Sequence, residues 1–356
     1  MPKLLAVAPY PNRSADTRYR ITQFIPGLQK AGWEVTLRTL MDERLFNIYH
    51  KPGRFIEKTG RTLAGLARRF VDCLKADQYD AILLHKEAFP FGPPWIEMIL
   101  QSRQPRIIYD IDDSFWTHPP QLKQIGRLLR DPHRIEKMIR LSRHVLAGNQ
   151  FLADYAVKYN PAVTIFPTVI STKRYSLREE KPDGEITIGW VGRWSSSPYI
   201  ETLRNVFILL SQRYPMIRFR FVGADERHSF DGIRYEIMPW KIESEIEDIA
   251  AFDIGIMPLA DDIYSQGKCG FKLLQYMALG IPAVASPVGV NQTIIQDGVN
   301  GFSASTEQEW FDKLSLLIAD QLLRRNIGLE ARKTVEHHYS LSKAEPILIS
   351  ILNNLS

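Results

Sequence analysis

Short apolar runs alternate with longer amphipathic stretches along almost the whole chain. In the first half, runs of strand length fall at 3–8, 34–39, 81–85, 106–110 and 144–147. Helical spacing of apolar positions predicts helices over 17–31, 55–76, 94–101, 133–141 and 150–159. The second half repeats the design. Strands are expected at 186–191, 218–222, 233–237, 254–257, 283–285 and 301–303, and helices over 199–213, 242–251, 271–279, 291–295, 306–319, 321–337 and 342–353. Strands alternating with helices build parallel sheets from βαβ units, so the expected class is α/β with two Rossmann-like, doubly wound domains. Residues 168–183 are charged, weakly periodic and run into the Pro182-Asp183-Gly184 turn, which places the boundary there. The expected domains are 1–170 and 171–338, with 339–356 a helix that returns to the first. A cleft between two such domains collects ligands at the C-terminal ends of the strands.

One stretch carries a dense set of polar signals. Gly267-Lys-Cys-Gly-Phe-Lys-Leu-Leu-Gln-Tyr-Met-Ala-Leu-Gly280 reads as a glycine-flanked helix start, a run of strong helix formers and a C-cap glycine, with Pro282 preventing continuation. Lys268, Lys272 and Gln275 lie at i, i+4 and i+7 and share one face, beside an apolar stripe of Phe271, Leu274 and Ala278. A helix N-terminus with Gly270 next to it and two lysines on one face is a candidate diphosphate site, because backbone N–H groups and fixed cations both favour an anion. A surface helix with solvated lysines is the bland alternative.

Composition narrows the setting. With 45% hydrophobic and 24% charged residues over 356 positions, the chain can fill two cores and is not a disordered polymer. No apolar run approaches the ~20 residues of a membrane span, and the N-terminus lacks a signal-peptide layout. Cys73 and Cys269 lie far apart and suggest neither a disulfide framework nor a metal cluster, so a reducing cytoplasm is expected. The net charge of +5 favours anionic partners, but no nucleic-acid recognition motif accompanies it.

Several segments, in this order, carry a family resemblance. They are Tyr10-Pro-Asn-Arg-Ser-Ala-Asp-Thr-Arg-Tyr-Arg20, then Phe24-Ile-Pro-Gly-Leu28 and Gly32-Trp-Glu-Val35, then Ile188-Gly-Trp-Val-Gly192-Arg193. Phe271 through Ser286 comes next, and Asp297-Gly-Val-Asn-Gly-Phe302 closes the set. Together they resemble the acceptor-side start, the first donor-domain strand and glycine turn, the donor-site helix and strand, and the "DGxxGF" turn of family 4 glycosyltransferases. The resemblance covers nearly the full length and implies the GT-B fold. It also implies a UDP- or GDP-sugar as donor substrate, no required cofactor or metal, and a retaining front-face reaction. The family's Glu-x7-Glu pair falls here on Gly267 and Gln275, and its second cation after the glycine turn falls on Pro198, although Arg193 is present. The resemblance therefore assigns diphosphate neutralisation to Arg193 and Lys272. It assigns donor contacts to Gly192, Gly270 and Phe271, and Gln275 to the ribose hydroxyls; Lys268 joins them from its place on the helix face, and Tyr264 and Ser265, in the loop just before that helix, are candidate contacts to the donor sugar. A nucleotide-sugar epimerase or hydrolase on the same scaffold, and a non-catalytic sugar-nucleotide binder, are the competing readings.

The acceptor half holds four further constellations. Tyr109-Asp-Ile-Asp-Asp113 comes directly after a strand, where sites form. Asp112 and Asp113 are the favoured acceptor contacts, with proton acceptance, Mg²⁺ binding and a plain Asx turn as alternatives. Arg13, Arg18 and Arg20 flank the first strand–helix junction and are candidate phosphate ligands, Arg18 for the donor. His85 and His118 are candidates for proton transfer. Residues 51–76 carry seven Lys/Arg against two acids. Leu63, Leu66, Phe70 and Leu74 form a helical apolar stripe there, with Arg61, Arg68, Arg69 and Lys75 elsewhere on the surface. Ordinary core packing and contact with an anionic membrane both fit that pattern, and the second suits a glycan or lipid-linked acceptor at the inner face of the cytoplasmic membrane.

Overall fold

The computed structural model describes residues 1–49, 51–116, 131–179 and 184–355. His118, and Pro182 and Asp183 of the expected boundary turn, lie outside the described residues. The chain forms two compact units, one of Met1–Thr168 with Leu341–Ser356, the other of Val169–Ser340.

The first unit is built on six parallel strands: β1 (Lys3–Ala8), β2 (Glu34–Thr39), β3 (Ala81–His85), β4 (Ile107–Ile111), β5 (His144–Ala147) and β6 (Val163–Ile165). Their order is β2-β1-β3-β4-β5-β6, so the winding reverses between β1 and β3. β3 and β4 are buried at every position, as strands covered by helices on both faces must be. The expected 17–31 helix is three pieces: Ala15–Arg20, a tight turn at Thr22–Phe24, and Ile25–Lys30. Pro26 explains the division, since it lacks an amide for the helical ladder and is tolerated only in a first turn. The closing helix, Leu341–Asn353, packs on these pieces, and Trp33 Nε1 donates to Asn353 Oδ1 at 3.2 Å.

The Phe55–Leu74 helix is tied to the sheet by a buried cation. Arg69 donates to the carbonyls of Ala8 (2.9 Å), Arg38 (3.3 Å) and Ala88 (3.3 Å), at or near the C-terminal ends of β1, β2 and β3. Asp72 balances the charge at 3.3 Å. The sequence placed Arg69 on the surface. The structure buries it, because strand-end carbonyls offer a guanidinium several acceptors at once.

The second unit has the strands β7 (Ile186–Val191), β8 (Ile217–Val222), β9 (Tyr235–Met238), β10 (Ile254–Met257), β11 (Ala283–Ala285) and β12 (Phe302–Ser303). All are parallel, in the order β12-β11-β10-β7-β8-β9, so the reversal falls between β7 and β10. Its core includes Trp190, Phe207, Phe219 and Phe221. The Phe271–Ala278 helix is pinned across the reversal by Tyr276. That hydroxyl accepts from Val191 N (3.1 Å) beside β7's end and donates to Ile256 O (3.3 Å) in β10. Gly255 makes the approach possible, since a Cβ there would lie 2.5 Å from the Tyr276 ring.

Candidate active site

Open α/β sheets bind ligands beyond the strand C-termini where the winding reverses. In the second unit that point lies just past β7 and β10. The turn after β7 is squeezed: Gly223 has φ +75°, and a Cβ on it would sit 2.2 Å from Gly192 O. A Cβ on Gly192 would meet the Trp190 indole at 2.4 Å and Lys272 Cε at 2.9 Å. Glycine at 192 and 223 thus lets the β7 turn, the Trp190 ring and the Lys272 stem share one space. The Lys272 ammonium lies 4.8 Å from the Trp190 ring centroid.

The helix that carries Lys272 starts at Gly270, which has φ +66° and supplies no side-chain oxygen to the first turn. Ile294 presses on Gly270 from the far side, 2.4 Å from where a Cβ would be. One turn before Lys272, the Lys268 ammonium lies over Tyr264 (4.3 Å) and farther from Tyr199 (5.9 Å), whose hydroxyl is 3.0 Å from Ser265 Oγ. Asp262 caps the short Ile263–Gln266 helix by accepting from Ser265 N at 2.7 Å. Burial, helped by the charge on Lys268, pushes the Lys272 ammonium down to about 7. Among the described residues Lys272 has no carboxylate partner. Arg193, exposed just past β7, likewise makes no ion pair among the described residues. The arrangement combines a helix N-terminus, two lysines and a nearby arginine, and it suits a multiply charged anion.

Gln275 is a correction. It shares the helix with Lys272 but is 2% exposed, and its Nε2 donates to the Tyr175 hydroxyl at 2.9 Å. Tyr175 donates to Glu245 Oε2 (3.3 Å), whose other oxygen accepts from Trp240 Nε1 (3.2 Å). The Gln275 amide is engaged inside the unit, not held out for a ribose.

In the first unit the expected residues separate. Arg20 is no phosphate ligand: its Nε donates to Asp110 Oδ2 (3.0 Å), its Nη2 to Asp110 Oδ1, and its Nη1 to Phe166 O (2.9 Å). His85 Nδ1 lies 2.7 Å from Asp110 Oδ2, and all three side chains are buried. Burial alone would raise the Asp110 carboxyl, but the Arg20 charge and the His85 and Arg20 hydrogen bonds outweigh it and bring it down to about 2. Arg18 is also buried, its guanidinium 5.2 Å from the Tyr19 ring. Asp113 Oδ1 accepts from the adjacent Ser114 N at 3.0 Å, and Asp113 O accepts from Phe115 N at 3.0 Å. Asp110 is thus taken up by Arg20 and His85, whereas the charges of Asp112 and Asp113 both act on Lys86, and among the described residues no three His, Cys, Asp or Glu side chains are placed to hold a metal.

Asp112 meets a residue the sequence did not single out. Lys86, with φ +61°, directs its ammonium to Asp16 (3.0 Å) and Asp112 (3.5 Å), beside the Phe115 ring (5.0 Å). It is the first residue past β3, at the winding reversal, so topology alone flags the position.

Comparison with known proteins joins these observations to a class. Residues 185–320, within the second unit, match the family model described as Glycosyl transferases group 1. No curated protein matches the sequence. The whole chain is similar in structure to sucrose-phosphate synthase from Thermosynechococcus elongatus (TM-score 0.73, 15% identity, covering 100% of this chain and 99% of that one). It is also similar to a glycosyltransferase from Rickettsia africae ESF-5 (0.69, 13%, 99% and 98%) and to Anabaena Alr3699/HepE in complex with UDP-glucose (0.67, 14%, 99% and 99%). The two six-stranded parallel sheets are those of the GT-B fold, as the resemblance implied.

Proposed function

We propose that the protein is a retaining glycosyltransferase that moves a sugar from a UDP- or GDP-sugar to a hydroxyl of a glycan, lipid-linked or small-molecule acceptor. The observation that carries this reading is the half-buried Lys272 ammonium beside Gly192 and the Phe271–Ala278 helix N-terminus, without a carboxylate of its own. The donor diphosphate takes that place, and its negative charge restores the proton to Lys272. As the bond between the anomeric carbon and the diphosphate oxygen breaks, Lys272 and Arg193 stabilise the charge left on that oxygen. The acceptor oxygen bonds to the anomeric carbon from the same face, and its proton passes to the departing diphosphate. Gly192, Gly270 and Phe271 shape the diphosphate pocket, and Tyr264 and Lys268 flank the donor. Asp112, steered by Lys86, orients the acceptor hydroxyl, and Asp113 fixes the turn behind it. The protein's own cations serve where other transferases employ a metal. The reading places the enzyme in the cytoplasm.

The HepE complex makes UDP-glucose the first donor to test. A thermal-shift screen of UDP-, GDP-, ADP- and CMP-sugars should single out one donor, because a ligand that binds only the folded state stabilises it. The same shift should vanish in Lys272→Ala. A donor consumed equally fast with and without acceptor would replace transfer by hydrolysis or epimerisation. Tight donor binding without turnover over a wide acceptor panel would leave a binding protein.

A further inference from the structure

The Phe55–Leu74 helix has an apolar face that its own unit leaves uncovered. Ile56, Leu63, Phe70 and Leu74 recur at i, i+7, i+14 and i+18, a single helical face, and are 92%, 59%, 40% and 64% exposed. Gly60 and Ala67, both exposed, fill the gaps between them. The opposite face carries the buried Gly65, Arg69 and Cys73. The stripe that core packing would have explained is thus mostly outside, with Leu66 alone half-buried. Phe70 meets Trp95 (centroids 5.4 Å), which carries the patch onto the Trp95–Arg103 helix, where Met98 is exposed. Twenty residues of helix at about 1.5 Å each make a strip about 30 Å long. That is an organised surface, not scattered apolar side chains.

Charge identifies the occupant. Lys51 and Arg54 at one end of the strip, and Arg68 and Lys75 toward the other, are exposed. Both acids of the segment are neutralised at home: Glu57 by Arg44 and Arg61, with Arg54 at the longer 3.9 Å, and Asp72 by Arg38 and Arg69, each at 3.3 Å. A second copy packing on this face by twofold symmetry would bring the same positive fringe against itself. We propose that the face lies on an anionic lipid bilayer, its apolar row in the headgroup boundary and its four basic side chains on lipid phosphates. Among the described residues no helix is long and apolar enough to cross a membrane, so the contact runs along the surface. The proposal extends the transfer reading by naming where the enzyme meets its acceptor, and it stands on none of the donor chemistry.

Flotation of the full chain with vesicles tests it. The protein should float with phosphatidylcholine vesicles containing phosphatidylglycerol, not with phosphatidylcholine alone, and binding should weaken as salt rises. I56S/L63S/L74S, and separately K51E/K75E, should each lower partitioning by at least about tenfold with an unchanged circular dichroism spectrum. All five positions are exposed, so the variants keep the core. Failure of the wild type to float on anionic vesicles overturns the proposal. So does a wild-type dimer that I56S/L63S/L74S converts to monomer, which would give the face to a second copy. Flotation needs neither donor nor acceptor, so its failure leaves glycosyl transfer standing, and absence of transfer leaves flotation standing.

Discussion

Lys272→Met should make the ligand-free protein more stable while removing its response to nucleoside diphosphates. The lysine's ordinary value of 10.5 is brought down to about 7 by burial, with Lys268 adding repulsion. Holding the proton against that gap costs at most about 5 kcal/mol. Solvent reaching the half-buried side chain reduces the figure to about 2–4 kcal/mol. Methionine keeps the stem's packing against Trp190 and discards the charge. The sign with pH comes from linkage. Below pH 7 the folded and unfolded chains both carry the proton, and the folded chain bears the whole penalty. Between pH 7 and 10.5 the unfolded chain holds more protons, so wild-type stability rises, and above 10.5 the penalty is gone. Urea melts should therefore show the variant about 2–4 kcal/mol more stable near pH 6, with the gap closing by about pH 10.5. Calorimetry with UDP in buffers of different ionisation enthalpy should show wild-type binding taking up close to one proton near pH 8 and about half of one near pH 7. The variant should take up none. Equal stability of the two proteins across this range, or UDP binding without proton uptake, would refute the reasoning.

Arg193→Ala removes an exposed side chain that has no ion pair among the described residues, so melting should not change while kcat/KM for the donor falls by about 10–100-fold. Gly192→Ala drives a methyl into Trp190 and the Lys272 stem; stability should drop by about 1–3 kcal/mol and the donor-induced thermal shift should disappear. Asp110→Asn leaves Arg20 buried without its carboxylate and should cost about 3–5 kcal/mol in urea melts. Because the Asp110 carboxyl sits at about 2 against an ordinary 3.8, its stabilisation is complete above pH 4 and lost as pH falls through 2. The acid limb of stability should be flatter in that variant.

The strands were legible where a parallel sheet covered on both faces needs continuous apolar runs, as at 3–8, 81–85 and 186–191, whereas edge strand β2 shows itself by alternation of polar and apolar residues. β6 escaped notice: it is three residues long, at a sheet edge and only part-buried, so no run marks it. The helix Glu43–Tyr49 is too short to show a period. At the site, Lys268, Gly270 and Lys272 were readable as a group because glycine and lysine spacing around one helix start is local information, while Gly192 was named only through the family resemblance. The fate of Arg20, Arg69 and Gln275 was not. Apart from the Arg69–Asp72 pair, each finds its partners 19 to 146 positions away, and a buried guanidinium looks in sequence like a solvated one. Lys86 was within reach of the sequence, since a guess at the strand order puts the residue just past β3 at the reversal of winding.

Arg69 makes the outer helix more than a covering. One guanidinium grips main-chain oxygens of Ala8, Arg38 and Ala88; Ala8 leads into the segment that carries Asp16, and Ala88 lies two residues past Lys86. A force that tilts or draws the Phe55–Leu74 helix reaches those segments directly through this buried cation, beside the links that Arg68 and Arg61 make to Leu40 and Asp42. The rim of the sheet is in this sense clutched from outside, and whatever the outer face of the helix rests upon has a short mechanical path to the place where Asp112 is held.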